Sequence, residues 1–256
     1  MKADKSIISR EIDFKGRKIK YFEFEYHRYS LAAWRDDCIR NSGRPSLAVT
    51  IDRHRDFLSA DHERLFEFMN FKDDAGFLDN VDKIAAPANN DFIAFAFYAG
   101  YCSDVLAVAY EPYHELEIKS MIQQGEAFYG ADSQAHYLAC MPSLMDTFAP
   151  GCDFQRTPTY REFYERFNAA QSVILDIDLD YFTYQSPDDA IFMRRAEDIR
   201  NVFEKIKPDF TGLLDKVTAV AVARESVCCG GTENASEIKA LLFKIFKEEY
   251  GLNLMD

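Results

Sequence analysis

Two apolar segments of the chain each end in alternating metal-binding side chains, and this pattern constrains the fold more than any other. Residues Ser46–Ile51 carry no charge and are aliphatic or β-branched, which is typical of a buried parallel strand. Asp52, His54 and Asp56 follow at every second position. Because residues i, i+2 and i+4 of an extended chain point to the same side, these three side chains can converge. A charged turn between a strand and a helix is the alternative interpretation of this segment alone.

The second segment, residues 171–182, repeats the pattern farther along the chain. An apolar stretch leads into Asp176, Asp178 and Asp180, which again alternate. Like charges at one strand end repel each other, and burying them without a counter-ion costs several kcal/mol. A bound cation removes this conflict, and open α/β sheets bind ligands at the carboxyl ends of their strands. The two segments together predict a metal site at the carboxyl edge of a parallel sheet.

Length, composition and charge indicate an acidic globular protein. With 256 residues, 48% of them hydrophobic, the chain can bury a sizeable core, and we expect one domain over residues 1–256. The net charge of −13 argues against a general nucleic-acid binder and favours a cationic substrate. No segment approaches the about 20 apolar residues of a membrane span, so no membrane partner is expected. Six cysteines without C-x-x-C spacing or a disulfide framework favour a cytoplasmic location.

Alternating strand and helix patterns predict a three-layer α/β/α fold with a mostly parallel sheet. Besides the two segments above, strands are expected at residues 6–13, 17–25, 104–110, 137–141 and 217–223. Gly16 would join the first two strands in an N-terminal hairpin within residues 1–25. Helices are expected at residues 30–40, 61–71, 80–86, 92–99, 160–170, 188–207 and 235–250.

The motifs at the two strand ends resemble those of the ureohydrolase superfamily, the arginases and agmatinases. That superfamily combines D-x-H-x-D, here residues 52–56, with a D-x-D at a later strand end. His27 precedes Asp52 by 25 positions, a spacing that the superfamily also shows. The sequences of residues 25–27 and 175–182 are similar to the motifs of a divergent branch that includes peptide arginases. Peptide arginases turn arginine into ornithine within ribosomally made precursor peptides. The resemblance spans residues 27–225 and implies an arginase/deacetylase-like fold with two Mn²⁺ ions.

The resemblance also implies roles for individual residues. One manganese ion would be held by His27, Asp52, Asp56 and Asp176, and the other by Asp52, His54, Asp176 and Asp178. Asp52 and Asp176 would bridge the ions, and a bridging hydroxide would attack the guanidinium carbon. Asp56 would orient that hydroxide and move its proton. Asp180 follows Asp178 by two positions where arginases show three, and it is expected to support the site rather than to bind metal.

Substrate contacts are also expected from the resemblance. Glu225, after the strand at residues 217–223, would bind the guanidinium group, although an ion pair with Arg224 or another basic residue is an equal alternative. His114, just past another strand end, is the candidate acid for the leaving amine. His62 and His136 are the other candidates, and each of the three is individually more typical of a surface or packing residue. Asn90 would line the pocket, with a helix cap as its ordinary alternative.

The resulting hypothesis is a dinuclear-manganese hydrolase that releases urea from peptidyl arginine in a precursor peptide. A homo-oligomer is compatible with it. Free arginine or agmatine as the substrate, and zinc as the metal, stay open. A deacetylase-type zinc amide hydrolase is a rival, although the chain lacks the adjacent histidines of that class. A metal-stabilised peptide-binding protein without activity is a rival from a different class.

Overall fold

A computed structural model of the chain describes residues 6–54, 56, 62–71, 76–85, 91–108, 138–141, 167–186, 188–205 and 207–255. The strands are β1 (Ile8–Phe14), β2 (Arg17–Phe24), β3 (Ser46–Ile51), β4 (Cys102–Val108), β5 (Leu138–Met141), β6 (Val173–Asp178), β7 (Thr183–Gln185), β8 (Ile191–Met193) and β9 (Val217–Ala223). The helices are α1 (Ser30–Arg40), α2 (His62–Asn70), α3 (Phe77–Ile84), α4 (Phe92–Tyr98), α5 (Ala196–Lys205), α6 (Lys207–Leu214) and α7 (Thr232–Tyr250).

The central sheet is mostly parallel, which confirms the prediction. Within the described residues its strand order is β1-β2-β9-β6-β3-β4-β5. β1 pairs with β2 in an antiparallel hairpin, and every other neighbouring pair is parallel. Gly16, at φ +75°, occupies the hairpin turn, and the hairpin joins the sheet because β2 pairs with β9. The expected N-terminal hairpin is therefore one edge of the main sheet.

Helices cover both faces of the sheet, as a three-layer α/β/α fold requires. On one face, α1 to α4 pack against residues such as Ile174 and Ala221. On the opposite face, α5 to α7 pack against residues such as Leu175 and Val220. Because neighbouring strand residues point to opposite faces, one apolar strand contributes to both cores. No helix in the described part of the chain is both long and apolar enough to cross a membrane.

The predicted helix at residues 188–207 is wrong in its first half. β7 and β8 form a separate antiparallel hairpin, in which the rings of Tyr184 and Phe192 stack with centroids 5.6 Å apart. Asp189, at φ +61°, lies in the turn of this hairpin. The backbone N–H of Ser186 donates to the carbonyl of Ala190, a hydrogen bond that an α-helix does not contain. Helix formation starts only with α5. The predicted helix at residues 160–170 lies mostly outside the described residues.

The turn after β9 depends on Gly230, which has φ +81°. A Cβ at Gly230 would lie 2.7 Å from the Ile191 carbonyl oxygen, whereas a Cβ at Gly16 would meet no described atom within 4 Å. We expect Gly16→Ala to cost about 1 kcal/mol of unfolding free energy from backbone strain alone. Gly230→Ala should cost about 1–3 kcal/mol more, because the hairpin must move. Urea denaturation of both variants measures the difference, and equal losses would contradict the contact.

Candidate metal centre

Four neighbouring strands bring the candidate residues together at one edge of the sheet. β2, β9, β6 and β3 are adjacent and parallel, so their carboxyl ends meet. The residues that follow or end these strands are His27 after β2, Glu225 after β9, Asp176 and Asp178 on β6, Asp180 just after β6, and Asp52, His54 and Asp56 after β3. From β3 the chain continues to β4 on one side, and from β6 it continues to β9 on the other. The site therefore lies at a topological switch point of the sheet.

His27 is fully buried at the centre of a group of carboxylates. Its Nδ1 atom lies 3.0 Å from Asp52 Oδ2, 3.1 Å from Asp56 Oδ2 and 3.3 Å from Asp178 Oδ2. Its Nε2 atom faces the other way and lies 3.1 Å from Asp176 Oδ1. The two ring nitrogens therefore contact different carboxylates, with three on the Nδ1 side and one on the Nε2 side.

His54 forms a second group on the side of the site that faces solvent. Its side chain is 49% exposed, and its Nδ1 atom lies 2.9 Å from Asp180 Oδ2 and 3.8 Å from Asp52 Oδ1. The ligand atoms of Asp52, His54 and Asp180 all lie within 4.8 Å of one another, as do those of Asp52, His27 and Asp178. Two possible metal-binding groups thus share Asp52.

The residues present fit divalent cations. Asp52, Asp56, Asp176, Asp178 and Asp180 are all buried, at 0–7% exposure. Asp52 Oδ2 lies 3.0 Å from His27 Nδ1 and Asp180 Oδ2 lies 2.9 Å from His54 Nδ1, so buried carboxylate oxygens face an imidazole nitrogen in both groups. Buried carboxylates need a cation or a proton to offset their lost hydration. Carboxylate oxygens with some imidazole nitrogen suit manganese and also bind zinc.

Three buried carboxylates of the site have raised pKa values. Burial raises the pKa of Asp52 to about 8, and the negative charge of Asp56 adds to this effect. Burial and the charge of Asp180 raise the pKa of Asp178 well above its usual value. The pKa of Asp56 is also raised, again mainly by burial. A metal-free site would therefore hold protons at pH values where exposed carboxylates have lost them.

Neighbouring carboxylates raise the pKa values of both histidines. The hydrogen bond to Asp180 raises the pKa of His54 to about 9. Burial alone would lower the pKa of His27, but the charge of Asp176 and the hydrogen bonds to Asp176, Asp178 and Asp52 together raise it well above the usual value. Cations must displace these protons to bind, so metal binding at this site is expected to release protons.

Two residues of the site have strained backbone conformations. Asp56 has φ +41° and Glu225 has φ +38°, in the left-handed region that residues other than glycine rarely adopt. Such residues cost about 1–3 kcal/mol each, and they concentrate at functional sites. The loops after β3 and β9 therefore hold both side chains in place at the expense of stability.

Glu225 lies beside His27 in a network of backbone hydrogen bonds. It is buried, and its Oε1 atom accepts the backbone N–H of His27 at 2.7 Å. Its own N–H donates to the carbonyl of Glu25, whose side chain accepts the N–H and hydroxyl of Ser226. Burial raises the pKa of Glu225. The guanidinium of Arg224, its predicted alternative partner, lies 3.2 Å from the Glu25 carboxylate.

The structure brings together seven of the nine predicted site residues, namely His27, Asp52, His54, Asp56, Asp176, Asp178 and Glu225. His114 and Asn90 lie outside the described residues, as does His136, so their roles stay predictions. His62 begins α2. Two participants were not expected to touch the ligands. Asp180, which was expected only to support the site, belongs to the His54 group, and Trp34 donates a 2.7 Å hydrogen bond to Asp176 Oδ2. The alternation of Asp180 with Asp176 and Asp178 was its sequence signal, and Trp34 had none.

Comparison with known proteins finds a weak structural similarity to arginases. No family model and no curated protein matches it. Among solved structures, it is similar to arginase from Bacillus cereus, with 13% identity, a TM-score of 0.43 and coverage of 91% of this chain and 71% of that one. Arginase from Helicobacter pylori shows 10% identity, a TM-score of 0.40 and coverages of 86% and 71%. Arginase from Bacillus subtilis shows 12% identity, a TM-score of 0.37 and coverage of 89% of this chain and 78% of that one. These likenesses are too weak to assign an activity, so the functional inference depends on the site.

Proposed function

We propose that the chain is a metal-dependent hydrolase that releases urea from an arginine side chain. The observation that carries this proposal is the pair of ligand groups that share Asp52 beside the buried carboxylate of Glu225. A shared carboxylate between two groups is the arrangement expected of a two-cation hydrolytic site. A buried carboxylate next to it is suited to a planar cation such as guanidinium.

Two divalent cations are the cofactors that this donor set fits, and we propose manganese. His27, Asp52 and Asp178 would hold one cation, and Asp52, His54 and Asp180 the other. When bound, the cations supply Lewis acidity that brings the pKa of a water molecule near neutrality. Zinc would fit the same atoms, so the choice of metal depends on supply as well as affinity.

The side chains beside the ligand groups would bind the substrate and move protons. Glu225 would accept hydrogen bonds from the guanidinium group, while its bond from the His27 N–H keeps the carboxylate in place. Asp56 lies 3.1 Å from His27 Nδ1, at the centre of the site, and would take a proton from the attacking water. Burial raises the pKa of Asp56, which makes it a better proton acceptor than an exposed carboxylate. His114 stays the predicted donor of a proton to the leaving amine.

The substrate proposed is an arginine within a precursor peptide. The resemblance of residues 25–27 and 175–182 to the peptide-arginase branch supports this choice, and the net charge of −13 favours a cationic substrate. The half-exposed His54 side chain shows that one side of the site is open to solvent, where a peptide could enter. Free arginine and agmatine are the alternatives to test. A cytoplasmic location also stays a prediction.

Urea release from manganese-loaded protein tests the proposal. Purified protein is offered an arginine-containing peptide, free arginine and agmatine in parallel, with urea and the ornithine product measured. We expect urea from the peptide and not from the two small molecules. Urea from free arginine or agmatine alone would keep the chemistry and overturn the substrate. No urea from any of them, with two manganese ions bound, would refute the proposed function.

Replacing Glu225 by glutamine is expected to weaken substrate binding. The glutamine carbonyl can still accept the His27 N–H, so the loop keeps its shape, but the charge that faces the guanidinium is lost. Loss of a charge-assisted hydrogen bond of about 1.5–3 kcal/mol predicts a fall in kcat/KM of about 10- to 150-fold, mainly through KM. Steady-state kinetics measure this. Glu237→Gln, on the exposed face of α7, is the matched control, and equal kinetics for both variants would contradict the assignment.

A further inference from the structure

We propose that Asp176 is a positioning residue and not a metal ligand, and that with Trp34 it fixes the ring of His27. The proposal rests on the two-cation site proposed above and replaces the bridging role that the resemblance implies for Asp176. Its consequence is that the coordinating aspartates of this segment are Asp178, at the end of β6, and Asp180, in the turn that follows.

Both carboxylate oxygens of Asp176 already have partners. Oδ1 lies 3.1 Å from His27 Nε2, and Oδ2 accepts the indole N–H of Trp34 at 2.7 Å. All three residues are 0% exposed. Among the described residues, neither metal-binding group includes Asp176. Asp176 also lies on the Nε2 side of the His27 ring, whereas Asp52 and Asp178, which share a group with His27, lie on its Nδ1 side.

The hydrogen-bonding capacity of the three groups fixes the proton of His27. An ionised carboxylate only accepts, and an indole N–H only donates, so Asp176 needs a proton on His27 Nε2. A neutral imidazole with its proton on Nε2 has its lone pair on Nδ1. Nδ1 is the atom that faces Asp52 and Asp178. Asp176 thus prepares His27 to bind a cation through Nδ1, as outer carboxylates do for histidine ligands.

Packing holds the arrangement rigidly. The ring of Phe92 lies 4.6 Å from the ring of His27 and 5.7 Å from that of Trp34, centroid to centroid. On the sheet, Ala219 and Ala221 of β9 belong to the same buried core as Trp34. Because Trp34 cannot move away without opening a cavity, its N–H stays directed at Asp176.

The backbone after β6 accounts for the participation of Asp180. Residues Leu179–Phe182 form a 3₁₀ turn, in which the N–H of Asp180 donates to Asp178 Oδ1 at 3.0 Å. This turn directs the Asp180 carboxylate to His54 Nδ1 at 2.9 Å. With this turn in place, Asp180 belongs to the group of Asp52 and His54 and is a ligand candidate.

The test compares Asp176→Asn with Asp180→Asn by manganese binding without substrate. An asparagine at position 176 has one carbonyl oxygen for two donors, Trp34 and His27. If the carbonyl accepts the Trp34 N–H, the asparagine N–H donates to His27 Nε2, and the proton of the His27 ring then moves to Nδ1. We expect Asp176→Asn to bind two manganese ions per chain at saturation, with an affinity about 10- to 100-fold lower. Asp180→Asn should bind one ion. Metal analysis after dialysis gives the stoichiometry, and calorimetric titration gives the affinity.

A double variant separates this role from simple packing. Trp34→Phe removes the second donor, so the asparagine carbonyl of Asp176→Asn can turn to His27 Nε2. We therefore expect Trp34→Phe/Asp176→Asn to bind manganese more tightly than Asp176→Asn alone. If Asp176 and Trp34 acted only through packing, the two losses would accumulate instead, since neither change would repair the other.

Two results would overturn the inference. One is Asp176→Asn binding fewer than two ions at saturation while Asp180→Asn retains two. The other is a double variant that binds manganese more weakly than Asp176→Asn alone. Urea release is measured separately on the wild-type protein. If that protein binds two ions with the variant pattern expected here and releases no urea, the proposed function fails and the role of Asp176 stands.

Discussion

Replacing Asp52 by asparagine is expected to abolish the binding of both cations and with it the release of urea. Asp52 belongs to both ligand groups, so its neutralisation removes a charged ligand from each. Asparagine retains a side-chain oxygen that can accept the backbone N–H of His54, as Asp52 Oδ1 does at 2.7 Å, so the loop is preserved. The loss of activity should exceed the about 100-fold that removal of a supporting residue costs. Metal analysis and urea assays on the same preparation measure both effects.

The matched control for Asp52→Asn is Asp13→Asn. The Asp13 side chain is 72% exposed and forms a surface ion pair with Lys18. Surface pairs of this kind contribute little, so its loss should leave metal content and activity unchanged. If Asp52→Asn retained two ions per chain, the two groups would not share this ligand, and the two-cation arrangement would be wrong.

Removing the cations is expected to make the stability of the protein fall as the pH rises from about 5 to 8. The pKa of Asp52 is about 8 in the folded protein against an ordinary 3.8. Between these values the folded state holds a proton that the unfolded chain has lost, so unfolding becomes easier with increasing pH. His54, whose pKa is raised from 6.5 to about 9, acts in the same direction above its ordinary value. Each such proton changes the unfolding free energy by about 1.4 kcal/mol per pH unit.

Thermal unfolding at several pH values, with and without manganese, measures this effect. In the metal-free protein we expect Tm to fall by about 3–5 °C per pH unit for each proton involved. Manganese should raise Tm most at pH 8, because deprotonated ligands bind it best. Surface carboxylates with lowered pKa values, such as Asp198 and Glu249, affect stability only at lower pH. A Tm that is constant across this range without metal would show that the carboxylates are not buried together.

Sequence patterns predicted the fold where a local pattern and its environment agree. Residues Ser46–Ile51 and Val217–Ala223 are uncharged runs, and both are strands with the predicted bounds. Residues Ser30–Arg40 form the predicted helix, also with the same bounds. Such segments are buried on both faces or have one apolar face, so their hydrophobic pattern suffices to identify them.

The hairpin of β7 and β8 could not be predicted from local pattern. Each strand has three residues, too few to show alternation, and the following charged residues favour a helix. Contacts with distant residues support the hairpin. Arg53 lies 3.2 Å from the Gln185 side chain, and the Ile191 carbonyl packs against Gly230. Tertiary contacts therefore override propensity in this segment.

The composition of the site was predictable, but the role of each aspartate was not. Asp176, Asp178 and Asp180 are equivalent in an alternating pattern, so the sequence does not distinguish a ligand from a supporting residue. The distinction comes from Trp34, 142 positions away, whose N–H occupies Asp176. Likewise, Glu225 is held by the backbone N–H of His27, which is 198 positions away. Contacts over such separations become visible only once the sheet order is known.

Anomalous X-ray diffraction from crystals of the manganese-loaded protein tests the central claim most directly, because it locates the ions without reference to activity. We predict two manganese peaks per chain, about 3.5–4 Å apart as in two-metal hydrolytic sites. One should lie among His27, Asp52 and Asp178, and the other among Asp52, His54 and Asp180. A single peak, or two peaks that do not share Asp52, would contradict the account.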